Sequence, residues 1–398
     1  MLFSAPSPWA GRRSPVECAL LEPRDMIRLL HISDVHLGAP LGGFGVVADE
    51  RRRAIRDAFR RLPTRAQQWD VDAVLVAGDL FDGPEPERAD VDLAREVLRR
   101  LADDRPVFAI PGNHDPALNS GSPWHEMPGV VTTILLPRFG TPRSVTVGND
   151  VPLHVYGVAF DAAVEPDPLA GYRRHDEPGL HVVLLHAATA DNPEWSGGQS
   201  LRVTRADIAA IDADYIAMGD YHSFRPPSEF GGLPACYSGS FAALAVDELG
   251  PRGCAIVELE PGAAPRVRLE PSDVPRLVDL GAVDASSAED ERGVEEMIAD
   301  RCPSEGACPV SELVGAPSFP LDAERIRDAL RERFGFAVVR DRTRFIDSEL
   351  VARMAEQPTV TGHVARLGRE RVAAAASDED REIAARALRL ALRALEAP

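Results

Sequence analysis

Five short stretches of this chain carry side chains of the types that bind divalent cations. They are Asp34-Val35-His36, Gly78-Asp79 with Asp82 further on, Gly112-Asn113-His114-Asp115, the lone His186, and Gly219-Asp220-Tyr221-His222. Each is weak alone. A D-x-H arises by chance, a Gly-Asp pair ends many strands, and a histidine behind an apolar run is commonly a hydrogen-bonded core residue. Together they make one set of carboxylate, amide and imidazole donors, which suits borderline or harder divalent ions such as Mn2+, Fe2+ or Zn2+. A shared carboxylate, with Asp79 the candidate, can bridge two ions about 3.5–4 Å apart. Such a pair activates water near neutral pH and neutralises charge on both sides of an in-line phosphoryl displacement. Glycines at 78, 112 and 219 let the backbone turn sharply beside these donors.

The elements that would position them follow from hydrophobic patterning. Apolar runs at 27–33, 73–78, 107–112, 153–160, 181–186 and 215–220 read as buried strands. Residues 49–69 and 87–103 read as amphipathic helices. Asp34 and His36, Asp79, Asn113 and His114, His186, and Asp220 and His222 fall at or just past the C-terminal ends of these strands. Ligands of α/β sheets gather in that place. A layered α/β domain is therefore expected over residues 26–262. From 276 to 348 an acidic helix, a strand, an amphipathic helix and another strand predict a small α/β domain. Residues 349–398 open with the less regular "VARMAEQPTVTGHVARLG" and end in a helix whose start, Ser377 with Asp380, has capping-box spacing. Ile383, Ala387, Leu388, Ala391, Leu392 and Leu395 form an apolar stripe on that helix.

The first 25 residues contain four prolines and no apolar segment with a small-residue cleavage site, so a disordered extension rather than a secretory signal is expected. No apolar run approaches 18 residues, so no membrane span is expected. Five cysteines without CxxC spacing point to reduced thiols and a cytoplasmic protein.

"LLHISDVHLG", "VAGDLFD", "IPGNHD" and "VVLLHAAT" resemble the motifs of calcineurin-like metallophosphoesterases. More narrowly, they resemble SbcD-type DNA repair exonucleases, the nuclease subunit of SbcCD-like complexes. "CYSGSFAALAVDELGPRGCAIVELE" (236–260) is similar to the segment that closes that family's nuclease domain. The resemblance covers 27–260 well; residues 276–348 resemble the family's capping domain only in size and element order. It implies a four-layer αββα metallophosphoesterase sandwich, a small α/β capping domain and a C-terminal helical tail. It also implies two divalent metal ions, Mn2+ first among them, with Mg2+, Fe2+ and Zn2+ as alternatives. Carried over by position, Asp34, His36 and His222 would bind the first ion and Asp79 would bridge. Asn113, His186 and residue 220 would hold the second ion. His114 would stabilise the transition state or protonate the leaving oxygen, with Asp115 orienting it. His31 would serve packing or hydrogen-bond behind the ligands, and Asp82 would hold its loop rather than bind an ion. The chain departs from the family at Asp220, where a histidine is usual. Aspartate is a competent oxygen ligand, adds one negative charge, and should shift preference towards Mn2+ or Mg2+.

The resemblance implies hydrolysis of DNA phosphodiester bonds, as exonuclease or endonuclease, in DNA repair. It implies an SbcC-type SMC-like ABC ATPase as partner, with the C-terminal helix a candidate docking element, and a homodimer. The net charge of −19, with arginine as every basic residue besides histidine, counts against DNA, because nucleic-acid affinity is largely phosphate neutralisation. Two ions would add about four positive charges at the scissile phosphate. Arg51, Arg52, Arg53, Arg60 and Arg61 make either a basic strip or an ordinary solvated helix face. Two other functions fit the sequence. One is a metallophosphodiesterase or phosphatase acting on cyclic nucleotides or other small phosphoesters. The other is a non-catalytic structural subunit of an ATPase complex.

Overall fold

Valine, isoleucine and leucine crowd the apolar runs, and glycine, proline or aspartate ends them, so they form short buried strands. The computed structural model describes residues 26–396 except 118–120, 128, 149, 161–168, 190–199, 304–305, 318, 320 and 344–347. The extension expected at 1–25 lies outside the described residues. The chain divides into two units, Met1–Val274 and Pro275–Pro398.

The first unit holds strands β1 (Ile27–Ile32), β2 (Ala73–Ala77), β3 (Val107–Ile110), β4 (Val131–Thr133), β5 (Arg143–Val147) and β6 (Val151–Val158). It continues with β7 (Leu180–Thr189), β8 (Leu201–Val203), β9 (Tyr215–Gly219), β10 (Ala235–Tyr237), β11 (Gly253–Leu259) and β12 (Arg266–Pro271). One sheet runs β12-β11-β1-β2-β3-β4, parallel from β1 to β4, with β11 antiparallel to β1. The other runs β10-β9-β7-β6-β5, parallel except at β5, with β8 beside the end of β7. β12 carries the first sheet past residue 262 by pairing with β11.

Alternate residues of the two sheets face each other. Leu29, Leu75 and Phe108 from one meet Leu153, Val182 and Tyr215 from the other in a single buried cluster. Each such side chain contributes about 1.5–3 kcal/mol on burial. His31 shares this inner phase, and its Nδ1 lies 2.9 Å from the Tyr215 hydroxyl, a packing role as expected. Helices α1 (Ala48–Gln68) and α2 (Arg88–Ala102) pack together, and α2 also contacts β3 and β4. The outer face of the second sheet is covered by the short helix α3 (Arg205–Ala210) and by loop residues including Phe230. The fourth layer is therefore thin among the described residues.

In the second unit, β13 (Arg276–Asp284), α4 (Glu291–Arg301), β14 (Ala307–Val314), α5 (Ala323–Phe334) and β15 (Val338–Asp341) form a parallel three-stranded sheet with two crossover helices. Val294, Ile298, Leu313, Ile326 and Leu330 are its core. The stretch expected to be irregular is helical: α6 (Ser348–Ala355) and α7 (Val360–Ala373) precede α8 (Asp378–Glu396). Thr359 caps α7 by accepting from the Gly362 amide at 3.0 Å. Gly368 lies so close to Leu388 of α8 that any Cβ there would collide. A residue of poor helix propensity is thus what lets the two helices meet. Ser377 accepts from the Asp380 amide at 3.0 Å, as its spacing implied. Two of the six stripe residues on α8, Leu388 and Leu392, are buried, while Ile383, Ala387, Ala391 and Leu395 are exposed. Among the described residues no helix is long and apolar enough to cross a membrane, and Cys236, Cys254, Cys302 and Cys308 are free thiols.

Candidate metal centre

The loops after β1 and β2 are zipped together by backbone bonds. Asp34 N donates to Gly78 O at 3.1 Å, Val35 N to Asp79 O at 2.9 Å, and His36 N to the same carbonyl at 3.1 Å. This pairing holds Asp34, His36 and Asp79 at φ 51, 48 and 49, and Asp220 after β9 sits at φ 97. Non-glycine residues pay for positive φ, typically about 1–3 kcal/mol each, and such strain collects where side chains must point to one place. Here they do. His186 lies inside β7, which runs on to Thr189, and reaches across from the second sheet to the first: its Nδ1 is 2.8 Å from Ala77 O of β2.

Three tight donor groups result, each with its ligand atoms within 4.8 Å of one another: Asp34, His36 and His222; Asp34, Asp79 and His186; and His36, Asp79 and His114. Asp79 Oδ2 lies 3.5 Å from His36 Nε2 and 3.3 Å from His186 Nε2, so one carboxylate faces both halves of the cluster. Asn113 Oδ1 is 2.8 Å from His186 Nε2, and Asp220 Oδ1 is 3.8 Å from that same nitrogen. Asp220 is further tied by its amide to Asp34 Oδ1 at 3.1 Å and by Oδ1 to the Ser200 hydroxyl at 2.6 Å. A Cβ at Gly78 would overlap the His186 ring, and one at Gly112 would overlap Asp79, so both glycines leave room for the donors.

Each of three histidines has its Nδ1 held by an oxygen. Asp82 Oδ1 takes His36 at 2.9 Å, Ala77 O takes His186, and Glu248 Oε1 takes His222 at 2.6 Å. That leaves Nε2 of each as the metal-facing nitrogen, the usual arrangement of a ligating imidazole. His36 Nε2 is buried without a hydrogen-bond partner. Burial alone would lower the His36 pKa; the Asp82 hydrogen bond and the charges of Asp79 and Asp34 outweigh it and raise the value to about 9. His186 is likewise raised despite burial, chiefly by Asp79. Both His186 nitrogens face oxygen acceptors, which favours the protonated ring where no ion is bound, so an ion taking Nε2 would compete with a proton. Burial pushes the Asp220 carboxyl up, aided by Asp34 and Asp79 and opposed by His186 and Ser200. The donor set, the orphaned nitrogen and the concentrated negative charge all fit a pair of divalent ions.

His114 stands at the mouth with its side chain 46% exposed. Its amide donates to Asp79 Oδ1 at 2.9 Å and its Nδ1 lies 3.2 Å from Asp82 O. Its ring meets the His36 ring edge-on at 4.7 Å. Asp115 does not orient it. The buried Asp115 carboxylate accepts instead from Gly112 N at 2.7 Å and Phe81 N at 3.0 Å, clamping the loops after β2 and β3 together. Of the two readings open for the α1 arginines, the ordinary helix face is the one the contacts fit. Arg52 pairs with Asp49, Arg60 with Asp57 and Arg61 with Asp273, while Arg51 is buried and donates to Ala243 O.

Residues 27–224 match the calcineurin-like phosphoesterase family. They form a calcineurin-like phosphoesterase domain. Among curated proteins, the DNA double-strand break repair protein Mre11 of Haloferax volcanii is 31% identical over 249 residues, 58% of this chain and 49% of that protein. The Methanopyrus kandleri protein of the same name is 28% identical over 234 residues, covering 54% and 48%. The uncharacterized metallophosphoesterase YhaO of Bacillus subtilis is 25% identical over 243 residues, covering 58% and 57%. The chain thus spans about half the length of the curated relatives it matches. Asp34 to His222 all fall within the phosphoesterase domain, whereas Glu248 lies beyond its matched residues. Glu248, Asp82 as a partner of His36, and Ser200 are the site residues that motif spacing missed. The sequence signals were that Asp82 ends the "VAGDLFD" motif and that Glu248 sits inside the 236–260 segment.

Proposed function

We propose that this chain is a two-metal-dependent phosphodiesterase that hydrolyses DNA phosphodiester bonds in double-strand break repair. The observation that carries it is the gathering of three Nδ1-anchored imidazoles, His36, His186 and His222, with Asp34, Asp79 and Asp220, in which Asp79 lies against both His36 and His186. The DNA substrate is drawn from relatives named as DNA double-strand break repair proteins. One ion would be held by Asp34, His36 and His222, the other by Asn113, His186 and Asp220, with Asp79 shared. When bound, such ions supply Lewis acidity at the phosphate and a nucleophilic water near neutral pH. The chain's own contribution is position. Asp82, Ala77 and Glu248 fix the ring orientations, and Asp115 locks the two loops that carry Asp79 and Asn113. His114, with Nδ1 against Asp82 O, is left with Nε2 towards the mouth, where it can hydrogen-bond a phosphoryl oxygen or give a proton to the leaving oxygen. An ATPase partner of the SMC-like class, Mn2+ as the ion, and dimerisation belong to the same proposal. Ile383, Leu390 and Leu395 are exposed apolar positions on α8 that the ATPase partner could cover.

The test is degradation of linear duplex DNA with Mn2+. His114→Ala should cut the rate by about 10²–10⁴-fold, the usual size of a general acid's contribution, with the far-ultraviolet circular dichroism spectrum unchanged. Cleavage of a chromogenic phosphodiester without any cleavage of DNA, even with an ATPase partner added, would give the small-phosphoester activity instead. The net charge of −19 is the observation that favours that second activity.

A further inference from the structure

His222 is the most loosely packed of the three anchored imidazoles: its side chain is 32% exposed, against 2% for His36 and 0% for His186. Packing fixes the two buried rings. The exposed ring needs another restraint, since free rotation would spoil its aim and a neutral imidazole can carry its proton on the nitrogen meant for the ion. Glu248 supplies both restraints. Its Oε1 takes Nδ1 at 2.6 Å, and its Oε2 is held by Leu244 N at 2.9 Å and approached by the Ser240 hydroxyl at 3.5 Å. The backbone around His222 is docked on the same stretch: Ser240 N donates to His222 O at 2.8 Å, and the Arg252 guanidinium donates to that carbonyl as well. Asp34 leans on it too, with Phe241 N donating to Asp34 O at 3.2 Å and Ser33, beside Asp34, bonded to Ser238 Oγ at 2.7 Å. No comparable contact joins residues 238–252 to Asn113, His186 or Asp220 among the described residues.

We infer that Glu248 is a positioning residue for one of the two ions: it holds His222 in the ligating tautomer and orientation, and so sets the affinity of the half-site built from Asp34, His36 and His222. This rests on the two-ion proposal above. Glutamine at 248 would offer one acceptor oxygen where two are used, so either His222 Nδ1 or Leu244 N would lose its partner, with little change in shape.

The experiment titrates the metal-free full chain with Mn2+ by calorimetry and counts bound ions. It compares the native protein, Glu248→Gln, His222→Ala and the double variant, and records the melting temperature of each metal-free form. The native protein should bind two ions. Glu248→Gln should weaken one of them about 10–100-fold, the usual cost of losing such a partner, with the other ion unchanged. In the His222→Ala background the second substitution should add nothing, because Glu248 acts through that ring. Native-like binding by Glu248→Gln, an equal loss at both ions, or a further loss in the double variant would overturn the inference. Failure of the native protein to bind Mn2+ would overturn the two-ion proposal itself.

Discussion

At the scale of single residues, the position that departs from the motif pattern is also the most informative. Asp220 keeps its backbone amide on Asp34 and turns its carboxylate towards His186, with Ser200 holding one oxygen. With Asp34, Asp79 and Asp220 as ligands, three carboxylates would face the ions, so oxygen-preferring ions would gain relative to those that favour nitrogen. Asp220→His should therefore raise the preference for Zn2+ over Mn2+ by at least about tenfold, ~1.4 kcal/mol, read as the ratio of dissociation constants in competition titrations. An unchanged ratio would mean that residue 220 does not touch an ion.

At the scale of elements, the site depends on how close strand ends may approach. Gly78, at φ 90, ends β2 directly beneath the His186 ring that spans the two sheets. Gly78→Ala would force both a strained backbone and displacement of the imidazole from Ala77 O. The strain alone should cost about 1–3 kcal/mol, measured by chemical denaturation of the metal-free protein, and bound metal should fall with it. The same logic explains a misread stretch elsewhere. Gly362 and Gly368 weaken the helical pattern of α7, yet Gly368 lets α7 lie against Leu388 of α8.

At the scale of the whole chain, the two-sheet core carries buried polar groups whose titration shows up as stability. Burial lowers the His31 pKa from 6.5 to about 3, opposed by a backbone hydrogen bond. Between those values the unfolded chain binds a proton that the folded one refuses. The His31 contribution is therefore complete above pH 6.5 and is lost as pH falls towards 3, at ~1.4 kcal/mol per unit. His181, lowered to about 4 by burial and by Arg174, acts in the same direction. His31→Gln should flatten the acid limb of stability measured by denaturant titration from pH 7.5 to 5, whatever its effect at neutral pH. A variant with the native slope would remove His31 as a source of acid sensitivity.

The ligand candidates and the strands that carry them were legible in the sequence because metal chemistry restricts residue types and buried strands restrict composition. Asp34, His36, Asp79, Asn113, His186, Asp220 and His222 could be picked out by type and spacing, and α1 and α2 by their periodicity. The supports could not. Glu248 reaches His222 from a different loop, Ala77 anchors His186 through a carbonyl that every residue possesses, and Asp115 clamps two loops instead of orienting the neighbouring His114. For the arginines of α1 the sequence left a basic strip and a solvated helix face open, and carboxylate partners distant in sequence, Asp273 among them, decide between the two. Motifs record which atoms must be present within a few residues of one another. Which ring nitrogen faces inward, and which charge is already spent, depends on contacts between segments far apart in sequence, and only the folded chain decides them.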